Sequence, residues 1–196
     1  LYGVGLSGVP IFNVNNYCST GSSALFLARQ AVQSGSVDCA LALGFEQMTP
    51  GALGIIFEDR PNPLMRFYEE MESLQGFDES SPWAAQFFGG AGLEHIKEYG
   101  TSANTLAKIK VKASKHAAKN PFAIFNKEVT EEEVMNSPMI FNPLTRLQCC
   151  PPSCGAAAAI ICTEDFAKAN NLNTDIAIAA QSMTTDYSTT FEDHDM

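Results

Sequence analysis

The sequence predicts an α/β fold, and three observations carry that expectation. Residues 10–45 read as a strand, a helix and a second strand, the span of one β-α-β unit with a parallel pair and a crossover helix. Gly155-Ala-Ala-Ala-Ala-Ile-Ile-Cys162 reads as a buried strand followed at once by a helix cap. With 45% apolar and 17% charged residues, a chain of 196 residues can bury a core as one domain or part of a larger one, which excludes wholesale disorder.

In chain order, Pro10-Ile-Phe-Asn-Val-Asn15 is short and extended in character. Ser22 to Gln33 carries Ala24, Leu25, Leu27, Ala28, Ala31 and Val32 at helical spacing, with Gly35 as its stop. Cys39-Ala-Leu-Ala-Leu-Gly-Phe45 reads as a buried strand. Residues 46–100 read as irregular: they hold Pro50, Pro61, Pro63 and Pro82, several glycines and most of the aromatic residues, and so long an unpatterned stretch is usually functional or carries short elements of its own. From Ser102 to Lys119 the chain has helical propensity, entered through Thr101 or Ser102 as N-cap and stopped by Asn120-Pro121. Thr130-Glu-Glu-Glu133 has capping-box spacing and starts a short acidic helix. Thr163-Glu-Asp165 caps a helix to about Asn170, and Ile176 to Gln181 reads as one more strand.

The 12 Lys+Arg and 22 Asp+Glu give a net charge of −10, which argues against a general nucleic-acid binder. No apolar run reaches the length of a transmembrane helix, and there is no basic-then-apolar leader. The chain starts at Leu1 rather than Met, which reads as a fragment or a processed product. The six cysteines do not form the dense pattern of a short secreted scaffold, and no Asn-x-Ser/Thr sequon is present, so they are expected to be reduced thiols inside a cell.

Gly3-Val-Gly-Leu-Ser-Gly8 matches G-x-G-x-x-G, but Pro10 and an extended segment follow it rather than a helix, so it reads as a flexible loop and not as a nucleotide site. Cys18 is the stronger candidate. It falls where an extended segment ends and a helix begins, so unpaired N–H groups and the positive end of the helix dipole would favour the thiolate that a nucleophile requires. The competing reading is an inert buried thiol. Cys149-Cys150 with Cys154 lacks C-x-x-C spacing and a nearby His, so no metal is expected there. Lys108, Lys110, Lys112, Lys115 and Lys119 make one helix locally basic; a solvated face is the plain reading, and contact with ligand phosphates the functional one. Met65, Phe67, Met71, Phe77, Trp83, Phe87 and Phe88 read as core packing, with an acyl channel as the functional alternative.

At these residues the sequence resembles a known family. Asn13-Val-Asn-Asn-Tyr-Cys-Ser-Thr-Gly-Ser22, Ala40-Leu-Ala-Leu-Gly-Phe-Glu-Gln-Met48, Phe88-Gly-Gly-Ala-Gly-Leu-Glu-His-Ile96, Glu98-Tyr-Gly-Thr101 and Leu147-Gln-Cys-Cys-Pro-Pro-Ser-Cys-Gly-Ala-Ala-Ala-Ala159 are similar, in order, to the thiolase superfamily. The likeness is greatest to the sterol carrier protein x type of 3-oxoacyl-CoA thiolase. It implies a thiolase-like layered α/β fold of which this chain is a partial N-terminal half with an inserted loop region. Residues 1–48 would be the nucleophile-bearing β-α-β part, 49–145 a loop region with the basic helix, 146–170 the closing strand and helix, and 171–196 the start of a truncated C-terminal half.

The resemblance implies Cys18 as the acyl-accepting nucleophile, with its own N–H helping to hold the thioester oxygen. It implies acyl-CoA and CoA as partners, CoA serving as co-substrate with no other cofactor, and a homodimer paired through the nucleophile-bearing strand. Lys108, Lys112, Phe87 and Phe88 are the candidate CoA and substrate contacts. The family suggests a peroxisomal location, with the cytoplasm as the alternative; the chain ends Glu192-Asp-His-Asp-Met196, not in S-K-L.

The family's G-H-P-x-G and C-x-G-G blocks do not occur in this sequence, and His95, His116 and His194 match neither. Cys154 stands where the family usually has Asp. The chain alone is therefore expected to turn over negligibly and to expose unpaired sheet edges and apolar faces. A reading from another class is a non-catalytic thiolase relative that binds lipid or acyl-CoA or partners a full-length subunit.

Overall fold

A computed structural model describes residues 2–50 and 59–194, so that part of the stretch expected to be irregular, residues 51–58, lies outside the described residues. The chain divides into two units, one reaching to Thr49 and resuming over Ser153–Thr185, the other running over Pro50–Pro152 and resuming at Asp186.

The first unit is built on two strands and a helix. Helix α1, Thr20–Gln33, ends at Gly35, whose positive φ of 74° is open to glycine without strain. Strand β1, Cys39–Glu46, pairs antiparallel with the small-residue strand Gly155–Cys162 in continuous register from Cys39↔Cys162 to Glu46↔Gly155. Side chains alternate across such a ladder. Ala40, Ala42 and Gly44 face α1: Ala42 is buried, and a Cβ on Gly44 would lie 3.5 Å from the Gly21 backbone. The opposite face carries Leu41, Leu43, Phe45 and Ile160, all exposed. A short helix, Glu164–Ala169, follows, with the Thr163 hydroxyl accepting from the Phe166 N–H.

Several expectations fail here. Residues 10–15 form no strand, so the parallel pair of the β-α-β unit is absent and only its helix-to-strand half forms. Pro10 lacks a donor, three of the next six residues are Asn, and Ile11 and Phe12 are exposed, so this extended segment has neither ladder nor core to hold it. Residues 176–181 are likewise unpaired, with Ile176 almost fully exposed. The strand over 155–162 forms, but its first six residues are exposed rather than buried.

In the second unit the supposedly irregular stretch holds two helices, α2 over Met65–Gln75 and α3 over Trp83–Tyr99. Gln86 links them. Its fully buried amide donates to Asp78 O and Ser81 O, both at 2.9 Å, and accepts from the Asp78 N–H at 3.1 Å, while Gln75 donates to Gln86 O. Asp78 is held below the usual carboxylate range by hydrogen bonds from Ser80 and Ser81. Helix α4, Ala103–Ala117, is capped by Ser102, and helix α5, Glu131–Met135, by the expected capping box of Thr130 and Glu133. Strands β2, Met139–Phe141, and β3, Leu144–Thr145, form a small antiparallel pair, which makes the Gly155–Cys162 strand β4. Thr145 is buried and donates to Val134 O.

The glycines that obscured α3 in the sequence explain its packing. A Cβ on Gly89 would sit 2.5 Å from Phe141 Cδ1 and 3.2 Å from Asn142 O, whereas one on Gly92 would meet Pro143 at an ordinary 3.5 Å. Gly89→Ala is therefore expected to destabilise the second unit by about 1–3 kcal/mol through overpacking. Gly92→Ala is expected to leave the melting temperature unchanged or raise it through better helix propensity. Thermal melts of the two variants check this; equal behaviour would contradict it.

Candidate functional site

Cys18 is exposed and stands two residues before the first helical residue of α1. The turn that delivers it is closely tied. Ser19 N–H donates to Asn16 O at 3.0 Å and Thr20 N–H to Tyr17 O at 3.2 Å. The Thr20 hydroxyl accepts from the Asn16 N–H at 2.8 Å and donates to Tyr17 O at 2.7 Å. Asn16 Nδ2 reaches the buried Ser23 hydroxyl at 2.9 Å.

Tyr17 is bent into the left-handed region, φ 45°, which for a bulky residue stores strain on the order of 1–3 kcal/mol. The Thr20 bonds hold that bend and turn the next residue, Cys18, out toward solvent. Ser19, the N-cap residue, gives its hydroxyl to Asn16 O at 2.8 Å and caps nothing, so the first-turn N–H groups of α1 have no side-chain cap.

The contact between Gly21 and Gly44 brings the start of α1 to the C-terminal end of β1. Cys154, one residue before β4, is at that same end of the ladder, opposite the continuation of β1: its Sγ accepts from the Met48 N–H at 3.2 Å. The sulfur thus fills an acceptor position at Cys154, the residue at which the sequence departs from the resembled family's usual Asp. Nothing in the sequence signals this bond, because Met48 and Cys154 are far apart in the chain.

Lys108 and Lys112 lie in the second unit, on one face of α4. With Val111, Lys115, His116 and Glu131 they line an open groove of about 340 Å³ between α4 and α5. That volume is at the low end for a small-molecule site and suits one anionic group rather than a whole nucleotide. Phe87 packs its ring 5.2 Å from Tyr68, in a cluster where Tyr68 and Phe77 each lie 4.3 Å from Trp83. Of the residues expected to pack as a core, Met71 is fully buried, Phe67, Trp83 and Phe87 are half-buried, and Met65 and Phe77 are exposed, so core packing is only partly realised here. Phe88, on the same helix, is 73% exposed.

All three histidines also belong to the second unit. His95 lies against Tyr99, His116 lines the groove, and His194 is paired with Glu70, which raises its pKa above the ordinary histidine value through a hydrogen bond and charge. Burial pushes the Cys149 thiol up, with Cys150 adding to the effect. Among the described residues no group of three or more His, Cys, Asp or Glu is placed to hold a metal ion, and no helix is long and apolar enough to cross a membrane.

Comparison with known proteins bears on this arrangement. The family model described as thiolase, N-terminal domain, matches residues 2–165. The chain is 48% identical over 194 residues to a sterol carrier protein 2 of Gallus gallus, covering 98% of this chain and 35% of that protein. It is 37% identical over 164 residues to an acetyl-CoA acetyltransferase of Methanothermobacter thermautotrophicus, covering 84% and 40% respectively. Among solved structures, a chain of a "Ltp2-ChsH2(DUF35) aldolase" superposes with a TM-score of 0.57 at 23% identity, over 76% of this chain and 37% of that one, a likeness of fold. The chain therefore spans about a third of the length of the sterol carrier protein relative it matches.

Thr20→Val removes both hydroxyl bonds of the turn and is expected to cost about 1 kcal/mol of local stability, seen as faster hydrogen exchange at the Asn16 amide. Unchanged exchange there would show that the bend at Tyr17 is held by something else.

Proposed function

The chain belongs to the thiolase family, and from that membership we propose that it is the nucleophile-bearing part of a 3-oxoacyl-CoA thiolase, with Cys18 the acyl acceptor. The observation that carries the reading is the placement of Cys18: exposed, next to a strained left-handed residue, at the uncapped first turn of α1.

The Cys18 thiolate attacks C3 of the 3-oxoacyl-CoA, and the C2–C3 bond breaks with its electron pair staying on C2. Protonation of C2 releases acetyl-CoA, or propionyl-CoA from a branched substrate. The shortened acyl group remains as a thioester on Cys18 until the thiol of free CoA attacks its carbonyl, and the cysteine leaves as thiolate. The backbone N–H of Cys18 is suited to hold the thioester oxygen. Lys108 and Lys112 are suited to one phosphate group of the CoA, and the exposed Phe88 to the acyl chain. The lipid substrate and a place in peroxisomal β-oxidation are part of the same proposal, supported by the relatives named sterol carrier protein 2.

A homodimer formed through residues 10–15 is included, because that extended segment has no ladder partner in the described chain. Sedimentation equilibrium that returns only monomer at micromolar concentration would contradict it. The non-catalytic, lipid-binding reading is favoured by one observation, the exposed apolar face of Leu41, Leu43, Phe45 and Ile160.

Intact mass spectrometry after incubation with acetoacetyl-CoA separates the two. An acetyl adduct that Cys18→Ala abolishes is expected. No adduct, or one that persists in the variant, would sink the nucleophile assignment and leave the binding reading.

A further inference from the structure

Cys39 and Cys162 are the first residue of β1 and the last of β4, and they are register partners in the antiparallel ladder. One step beyond them Thr163 N–H donates to Asp38 O at 3.0 Å, so 38 and 163 form the hydrogen-bonded pair and 39 and 162 the non-hydrogen-bonded one. In such a pair the Cα atoms are about 4.5 Å apart and both side chains leave the same face of the sheet, within the separation a disulfide accepts. Both thiols are free and partly accessible, on the face that carries exposed Leu41 and Ile160 and opposite the one covered by α1. The remaining cysteines of this unit, Cys18 and Cys154, lie toward the other end of the ladder.

We propose that Cys39 and Cys162 form a modification site, a cross-strand dithiol that a peroxide closes to an intramolecular disulfide. The site is separate from Cys18 and requires no acyl chemistry. Burial raises the pKa of the Cys39 thiol, and the nearby Cys162 raises it further. The thiolate of one cysteine of the pair breaks the O–O bond of hydrogen peroxide, becoming a sulfenic acid while one oxygen leaves as hydroxide and takes up a proton as water. The sulfur of the other cysteine then displaces the sulfenic hydroxyl, which leaves with that thiol's proton as a second water. Two thiols are oxidised to one disulfide and one peroxide is reduced to two waters. The bond joins segments separated by the whole 50–152 region, so it constrains the unfolded chain strongly.

The test treats the full chain with hydrogen peroxide at low protein concentration, followed by intact mass and peptide mapping without reduction. Loss of the mass of two hydrogens, with Cys39 and Cys162 in one cross-linked peptide, is expected, together with slowed hydrogen exchange along β1 and β4. Cys162→Ala and Cys39→Ala should each abolish that species, while Cys18→Ala should retain it. A disulfide mapped to other cysteines, intermolecular dimers alone, or the same two-hydrogen loss in both single variants would overturn the proposal. Because Cys162 ends its strand, circular dichroism of the alanine variants separates loss of the thiol from loss of the fold: a folded variant that still closes the cross-link counts against the site.

Discussion

The pairing of β1 with β4 is the constraint on which the first unit depends. It brings residues 39–46 against 155–162 across more than a hundred intervening residues, and its continuous register decides which side chains face α1. Closing so long a loop costs only slightly more than closing a shorter one, so a regular eight-residue ladder offsets it. Helix α1 lies against the strand with Gly21 facing Gly44, where a Cβ would be in ordinary contact at 3.5 Å. That close approach places the first turn of the helix, the strained Tyr17 and the Cys18 thiol at the C-terminal end of β1. Cys154 closes the same end from the other strand through its bond to Met48. An exposed thiol thus stands at a junction where a strand end and a helix N-terminus converge.

The second unit solves a different problem. Its helices α2 and α3 are joined by a largely exposed loop, and the buried Gln86 amide holds that loop by donating to two of its carbonyls and accepting from one N–H. The aromatic cluster of Tyr68, Phe77, Trp83 and Phe87 closes the same joint from the apolar side. Gly89 then allows the β2–β3 hairpin to lie directly on α3. Among the described residues of this unit the largest fully buried side chains are Met71, Gln86, Val134 and Thr145, so half of that set is polar and satisfied by hydrogen bonds.

What was legible in the sequence was local. The caps at Ser102, Thr130 and Thr163 and the stop at Gly35 are one-residue chemistry, and the structure has them where they were expected. Helix α3 was hidden because Gly89, Gly90 and Gly92 lower helix propensity, and what compensates is a contact with Phe141 about fifty residues away. Residues 10–15 and 176–181 have extended character but no ladder, and ladder formation depends on a partner rather than on composition. The position of Cys18 at the start of a helix was readable; the Thr20 bonds and the left-handed Tyr17 that present it were not, since side-chain bonds of this kind leave no periodic trace. The Cys39–Cys162 pairing was invisible for the same reason as the ladder itself.

The central claim is that Cys18 alone among the six thiols receives the acyl group. Peptide-resolved alkylation with iodoacetamide, run with and without acetoacetyl-CoA, tests it on the unmodified chain. Selective protection of the Cys18 peptide, with Cys39, Cys149, Cys150, Cys154 and Cys162 alkylated at unchanged rates, is the result the account requires. Protection spread equally over all six, or none at Cys18, would contradict it.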